Sequence, residues 1–174
     1  MPLVFHCASG SPYAWRVWLA LEHKRRPYEI KWSSFDAGDL KTTAFSRLNP
    51  RRRVPVIEDN GFALYESAAI VEYIEDRWPE SPLFSADLQQ RAIERRIIRE
   101  ADQYFAEPME RLVEAVLFTK PDQRCPTHIE GAYAGIRREL EFWETRVAGG
   151  FLTGALSAAD FTLFPLIALS QRIG

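Results

Sequence analysis

Hydrophobic positions in the first eighty residues switch between two periods. "LVFHC" (Leu3 to Cys7) is a short apolar run of the kind a buried strand gives. "PYAWRVWLALEHK" (Pro12 to Lys24) repeats its apolar side chains at helical spacing, and "YEIKW" (Tyr28 to Trp32) alternates as a half-exposed strand does. A polar segment around Leu40 to Arg47 predicts a further helix. "VPVIEDNGFALYE" then gives two apolar runs joined at Asp59, Asn60 and Gly61, and Asn-Gly between such runs predicts a tight hairpin because both residues tolerate positive φ. Ile70, Val71 and Ile74 share one face of a helix expected from about Ser67 to Arg77. The order is β-α-β-α-β-β-α, a mixed α/β unit.

"RWPESPLFSAD", Arg77 to Asp87, carries two prolines and no period, so it reads as an exposed connector. We place the domains at 1–78 and 87–174, with a linker over 79–86. Beyond the linker the pattern is helical throughout. Ile93, Ile97, Ala101, Tyr104 or Phe105, Leu112 and Val116 keep helical spacing along one long helix that Pro108 should kink. Ile129, Ala132 or Tyr133, Ile136, Leu140, Trp143 and Val147 predict a second helix ended by Gly149 and Gly150. "LSAADF" places a serine at a cap position with Asp160 three residues on, a capping-box variant with Leu156 and Phe161 as a hydrophobic staple. Asp160 is therefore read as structural. There is no internal repeat and no low-complexity segment.

Composition narrows the classes. A chain of 174 residues that is 47% apolar can bury a substantial core, and its net charge of -2 leaves no field that would recruit nucleic acid or an anionic membrane. No apolar run approaches the roughly 18 residues of a transmembrane helix, and Met1 to Phe5 lacks a cationic leader region. A soluble cytoplasmic protein is the expectation. Cys7 and Cys125 are far apart and form no CxxC spacing, and His6, His23 and His128 have no metal-ligand spacing, so neither a disulfide framework nor a metal site is expected. Both cysteines read as buried small apolar groups.

Four features are able to carry chemistry, each with a plainer alternative. Ser11, followed by Pro12, is an ordinary helix start; its hydroxyl either caps that helix or also faces a substrate. Pro55 inside "RVPVI" removes a ladder donor, which fits an edge strand or a backbone turned toward a ligand. Glu66 and Ser67 precede a helix whose N-terminus favours anions, so they form a cap or a seat for an ammonium beside a carboxylate. The run Arg51 to Arg53 is a short basic loop and a weak signal alone.

Taken together, "SPYAWRVWLALEHK", "NPRRRVPVIEDNGFALYESAAIVEYIEDRWP" and "LSAADF", in this order and spacing, closely resemble the cytosolic glutathione transferases over nearly the whole chain. Ser11 matches the position that carries serine in the zeta-like and theta-like classes, and the Trp-Arg-Val tail after it is nearest the zeta-like form. The resemblance implies a thioredoxin-like N-terminal domain, an all-helical C-terminal domain and a two-fold homodimer. It implies that glutathione is the co-substrate, with no metal. Ser11 would stabilise the glutathione thiolate as the catalytic group. Pro55 would be the family's cis-proline presenting Val54 to the cysteinyl part; Glu66 and Ser67 would hold the γ-glutamyl group, and Arg53 would lie near the glycyl end.

A small hydrophobic electrophile would meet Tyr13, Tyr104, Phe105 and Met109, the last three of which fit a core better than a pocket. The implied activity is glutathione transfer in detoxification, or a related isomerase or peroxidase reaction. The alternative is a non-catalytic relative that binds ligands or proteins. Family members run on through another helix or two, whereas this sequence ends at Gly174, which favours that alternative. A thiol oxidoreductase needs a cysteine where Ser11 stands, and Cys7 lies four residues earlier on the expected strand.

Overall fold

Residues 2–147 and 149–173 are described by the structure, a computed structural model. Met1 and Gly174, on which the readings of the chain's start and end rest, lie outside the described residues. The chain divides into two units, Met1–Leu83 and Phe84–Gly174.

The first unit follows the expected order: β1 (Leu3–Ala8), α1 (Pro12–Lys24), β2 (Tyr28–Ser33), α2 (Thr43–Leu48), β3 (Val56–Asp59), β4 (Phe62–Tyr65) and α3 (Ser67–Arg77). A single 3-10 turn, Asp39–Lys41, precedes α2. The sheet order is β2-β1-β3-β4, parallel between β1 and β2 and antiparallel elsewhere, which is the thioredoxin-like arrangement. The β3–β4 hairpin turns on Asn60 (φ 51) and Gly61 (φ 87), the left-handed pair that a two-residue turn requires.

Burial explains why the helices stay where they are. α1 and α3 pack on one another and bury Val17, Leu21, Ile70 and Ile74 completely. Each such side chain contributes roughly 1.5–3 kcal/mol. α2 supplies Phe45 to a separate cluster with Ala8, Leu40, Val54 and Val56. That cluster ties α2 to the end of the sheet where β1 leads toward Ser11 and Pro55 leads into β3.

The connector departs from the exposed segment its prolines predict, because Leu83 and Phe84 are buried at 1% and 3% exposure. The amide of Leu83 donates to Glu75 Oε2 at 2.9 Å, so this part of the connector is bonded to α3.

The second unit is built from α4 (Leu88–Glu100), α5 (Ala106–Val113), α6 (Pro126–Glu144) and α7 (Ala158–Ile173). The one long helix read from Ile93 to Val116 is broken by π-helical turns at Ala101–Phe105 and Glu114–Phe118. The first of these closes on the N-terminal side of Pro108, with Ala106 donating to the Ala101 carbonyl five residues back. Pro108 has no N–H for the carbonyl of Tyr104, so the helix widens where its regular ladder fails. Gly135 on α6 faces this proline, and a Cβ there would lie 2.7 Å from Pro108 Cβ. Only glycine lets α5 and α6 approach so closely.

α6 stops at Glu144, earlier than its apolar spacing predicts, and leaves Val147 half-exposed. α7 begins with the capping box that "LSAADF" predicts, although Leu156 of the expected staple is exposed: Asp160 Oδ2 accepts from the Ser157 amide at 2.9 Å and the Ser157 hydroxyl at 3.1 Å, and Oδ1 accepts from the Leu152 amide at 2.9 Å. Among the described residues no helix is long and apolar enough to cross a membrane.

Candidate active site

Three adjacent strands deliver the predicted residues to one end of the sheet. The β1–β3 ladder ends at His6 opposite Val56, so two residues further on Val54 comes opposite Ala8, and both belong to one apolar cluster. Val56 pairs in turn with Tyr65, which brings Glu66 opposite Pro55. Ser11 follows Ala8 by three residues, with its amide bonded to the Ala8 carbonyl at 3.3 Å. Ser11, Val54, Pro55, Glu66 and Ser67 therefore meet at the ends of β1, β3 and β4.

Ser11 is the N-cap of α1, in extended conformation, and its Oγ accepts from the Ala14 amide at 3.2 Å. This leaves its own O–H available as a donor at the positive end of a 13-residue helix. Capping and donation use different atoms of the same hydroxyl, so the two readings of Ser11 are compatible.

The Val54–Pro55 bond is cis, and Val54 stands outside the ladder. Glu66 has φ 72 and ψ 106, in the left-handed half of the map that favours glycine, and its side chain makes no capping bond to α3. A strained non-glycine backbone is held where the surroundings over-determine it, and such positions gather at functional sites. The uncapped first turn of α3, starting at the buried Ser67, is left open to an anion.

The loop between α2 and β3 adds a residue that sequence reasoning passed over. Arg51 Nε lies 4.0 Å from Glu66 Oε1, both side chains exposed. The only signal for it was the undifferentiated Arg51 to Arg53 run. Arg53 is exposed, and its carbonyl accepts from Asn49 Nδ2 at 2.7 Å.

The candidates for the electrophile fall in different units. Tyr13 is half-buried on α1 with the Arg16 guanidinium 5.7 Å from its ring centre. Tyr104 is half-exposed, whereas Phe105 and Met109 are buried at 0% and 1% exposure.

Cys7 sits buried on β1, and burial pushes its thiol up to about 11. It stays protonated at neutral pH and offers no thiolate. Among the described residues no group of three His, Cys, Asp or Glu side chains is placed to hold a metal ion.

Residues 10–77 match the family model described as "Glutathione S-transferase, N-terminal domain". The maleylacetoacetate isomerase of Dictyostelium discoideum is 31% identical over 163 residues, spanning 88% of this chain and 72% of the relative. The chain belongs to the glutathione S-transferase family. A zeta-class glutathione S-transferase of Euphorbia esula is 29% identical and aligns with 90% of this chain and 78% of its own length, in keeping with the zeta-like Ser11 motif. The crystal structure of a glutathione S-transferase from the Antarctic clam Laternula elliptica superposes with a TM-score of 0.81 at 29% identity, covering 97% of this chain and 77% of that one. As a member of this family the chain is a glutathione-dependent enzyme, and its first unit is the glutathione S-transferase thioredoxin-like domain.

Proposed function

We propose that this glutathione S-transferase binds glutathione across the ends of β1, β3 and β4 and activates it by a hydrogen bond from Ser11. The observation that supports this most is the convergence of Ser11, Val54, Glu66 and Ser67 at one end of the sheet.

The tripeptide's polar groups find complementary partners there. Glu66 takes the γ-glutamyl ammonium, while the Ser67 hydroxyl and the uncapped amides of α3 take the adjoining carboxylate. The main chain of Val54 pairs with the cysteinyl residue as an added strand would, and Arg53 lies toward the glycyl carboxylate. The cysteinyl sulfur then comes to Ser11.

A free thiol with a pKa of about 8.5 is mostly protonated at neutral pH, and only its thiolate is the nucleophile. The Ser11 O–H donates to the charged sulfur, and the positive end of α1 favours the same state. Each unit of pKa depression corresponds to about 1.4 kcal/mol of preference for thiolate.

The thiolate attacks a small hydrophobic electrophile. Tyr13, two residues after Ser11, is the side chain on α1 assigned to it, and the family likeness adds Tyr104, Phe105 and Met109. The burial of Phe105 and Met109 favours their place in the core of the second unit. Reversible addition of the same thiolate to a conjugated double bond would make the enzyme an isomerase, a reading favoured by relatives named maleylacetoacetate isomerase. A second copy of the chain completes the two-fold dimer implied by the family resemblance.

Calorimetric titration with glutathione tests the binding half of the account. The wild type should bind, and Ser67→Ala, which removes a hydrogen bond to a charged group, should bind about ten-fold or more weakly. Absence of binding by the wild type would remove the site assignments. Turnover of chlorodinitrobenzene against isomerisation of a cis-enedione then separates transferase from isomerase.

A further inference from the structure

Asn49 ends α2 and is almost wholly buried, at 2% exposure. Its main-chain amide donates to the Phe45 carbonyl at 2.9 Å, and its carbonyl accepts from the Arg52 amide at 2.9 Å. Its side chain reaches forward on both sides of the same loop. Oδ1 accepts from the Arg51 amide at 2.9 Å, and Nδ2 donates to the Arg53 carbonyl at 2.7 Å.

A buried amide is costly unless its polar atoms are paired, and here one side chain spans the segment that leads into Val54. The loop it holds is not one the chain adopts freely, since Arg52 has φ 55. Arg52 is also tied back to α2 through Nε to Ser46 Oγ at 3.1 Å. At one end the pinned loop offers Arg51 to Glu66, and at the other it delivers the Val54 main chain. α2, where Asn49 is anchored, is fixed through Phe45 in the cluster that contains Ala8 and Val54.

We infer that Asn49 is a positioning residue for glutathione: its buried amide holds the Arg51–Arg53 loop so that the Val54 main chain stands in place for the tripeptide and Arg51 stands beside Glu66. The inference rests on the reading of Val54 and Glu66 as glutathione contacts. Asn49 itself touches no substrate and acts before chemistry. Its loss therefore falls on glutathione binding and leaves the thiolate at Ser11 as it was.

Steady-state kinetics with glutathione varied at saturating chlorodinitrobenzene, together with the thiol titration of bound glutathione, test this in the wild type, Asn49→Ala, Asn49→Asp and Ser11→Ala. Asn49→Ala should raise KM for glutathione about ten-fold or more, with kcat within about two-fold and the bound thiol pKa unmoved. Asn49→Asp is nearly isosteric and leaves no cavity, so it tests the hydrogen bonds apart from the packing, with the circular dichroism of each variant checking that it is folded. It keeps the acceptor for the Arg51 amide and sets an oxygen against the Arg53 carbonyl, so its KM should rise above that of the wild type as well. Ser11→Ala should do the reverse, shifting the thiol pKa and kcat with little change in KM.

Wild-type KM in both Asn49 variants, or a loss of kcat at unchanged KM, would overturn the inference. If Ser67→Ala weakens binding while the Asn49 variants do not, the positioning role alone fails. If the wild type binds no glutathione, the reading of the site and the role of Asn49 fail together.

Discussion

Lys24 Nζ lies 2.5 Å from Glu75 Oε2, with side-chain exposures of 0% and 7%. The same ammonium donates to the carbonyls of Trp78 at 2.6 Å and Glu80 at 3.3 Å, and Glu75 Oε2 also accepts from the Leu83 amide. One buried ion pair thus joins the end of α1, α3 and the segment that follows it. Removing one partner strands a buried charge, so Lys24→Ala or Glu75→Ala should lose about 3–5 kcal/mol in denaturant unfolding. The double variant Lys24→Met, Glu75→Leu should lose less than the sum of the two, because no charge is left unpaired.

Strain at Glu66 separates binding from stability. Glu66→Gly and Glu66→Ala both remove the carboxylate and should both weaken glutathione binding. Only glycine relaxes at φ 72, so the glycine variant should be more stable than the alanine variant by about 1 kcal/mol. Paired thermal melts and glutathione titrations check this.

The two cysteines should differ sharply toward an alkylating reagent. Cys125 is exposed, not buried as its sequence context suggests, and bonds with the Thr127 hydroxyl at 3.1 Å and the His128 amide hold its thiol below the usual range. Cys7 is pushed up to about 11 by burial. Brief labelling of the native protein with iodoacetamide at pH 7.5 should modify Cys125 and spare Cys7 until unfolding, as read by mass spectrometry. Comparable labelling of Cys7 would contradict its placement on β1.

Asp160 accepts from three groups at the start of α7, so Asp160→Ala should cost about 2–3 kcal/mol of stability. Activity per folded molecule should be unchanged, which distinguishes a cap from a catalytic acid.

Legibility in the sequence follows the range of the forces involved. Asn60-Gly61, the Ser11 helix start and the Ser157–Asp160 box are decided by neighbours a few residues apart, and each reads correctly from its own stretch. The bounds of α3 are read correctly for the same reason. The Lys24–Glu75 pair joins residues 51 apart, so nothing in "RWPESPLFSAD" announces that Leu83 is held and buried.

The site was legible only in part. Spacing alone leaves Pro55 open between an edge strand and a backbone turned toward a ligand, and Glu66 between a cap and a seat for an ammonium; the resemblance implies the cis bond that the structure holds and the ligand roles proposed above. The left-handed Glu66 and the four bonds of Asn49 depend on strand register and loop closure, which no local pattern encodes. The π-helical turn before Pro108 has the same origin: a proline marks where a ladder fails, and packing decides how the helix answers.

The central claim is that the Ser11 hydroxyl holds glutathione as a thiolate. Its most direct test is the ultraviolet absorbance of the thiolate in the bound complex, titrated against pH for the wild type and Ser11→Ala. The account predicts a wild-type thiol pKa at least about one unit below the free value of about 8.5, returning toward that value in the variant. An unshifted thiol in the wild type, or the same depressed value in both proteins, would contradict it.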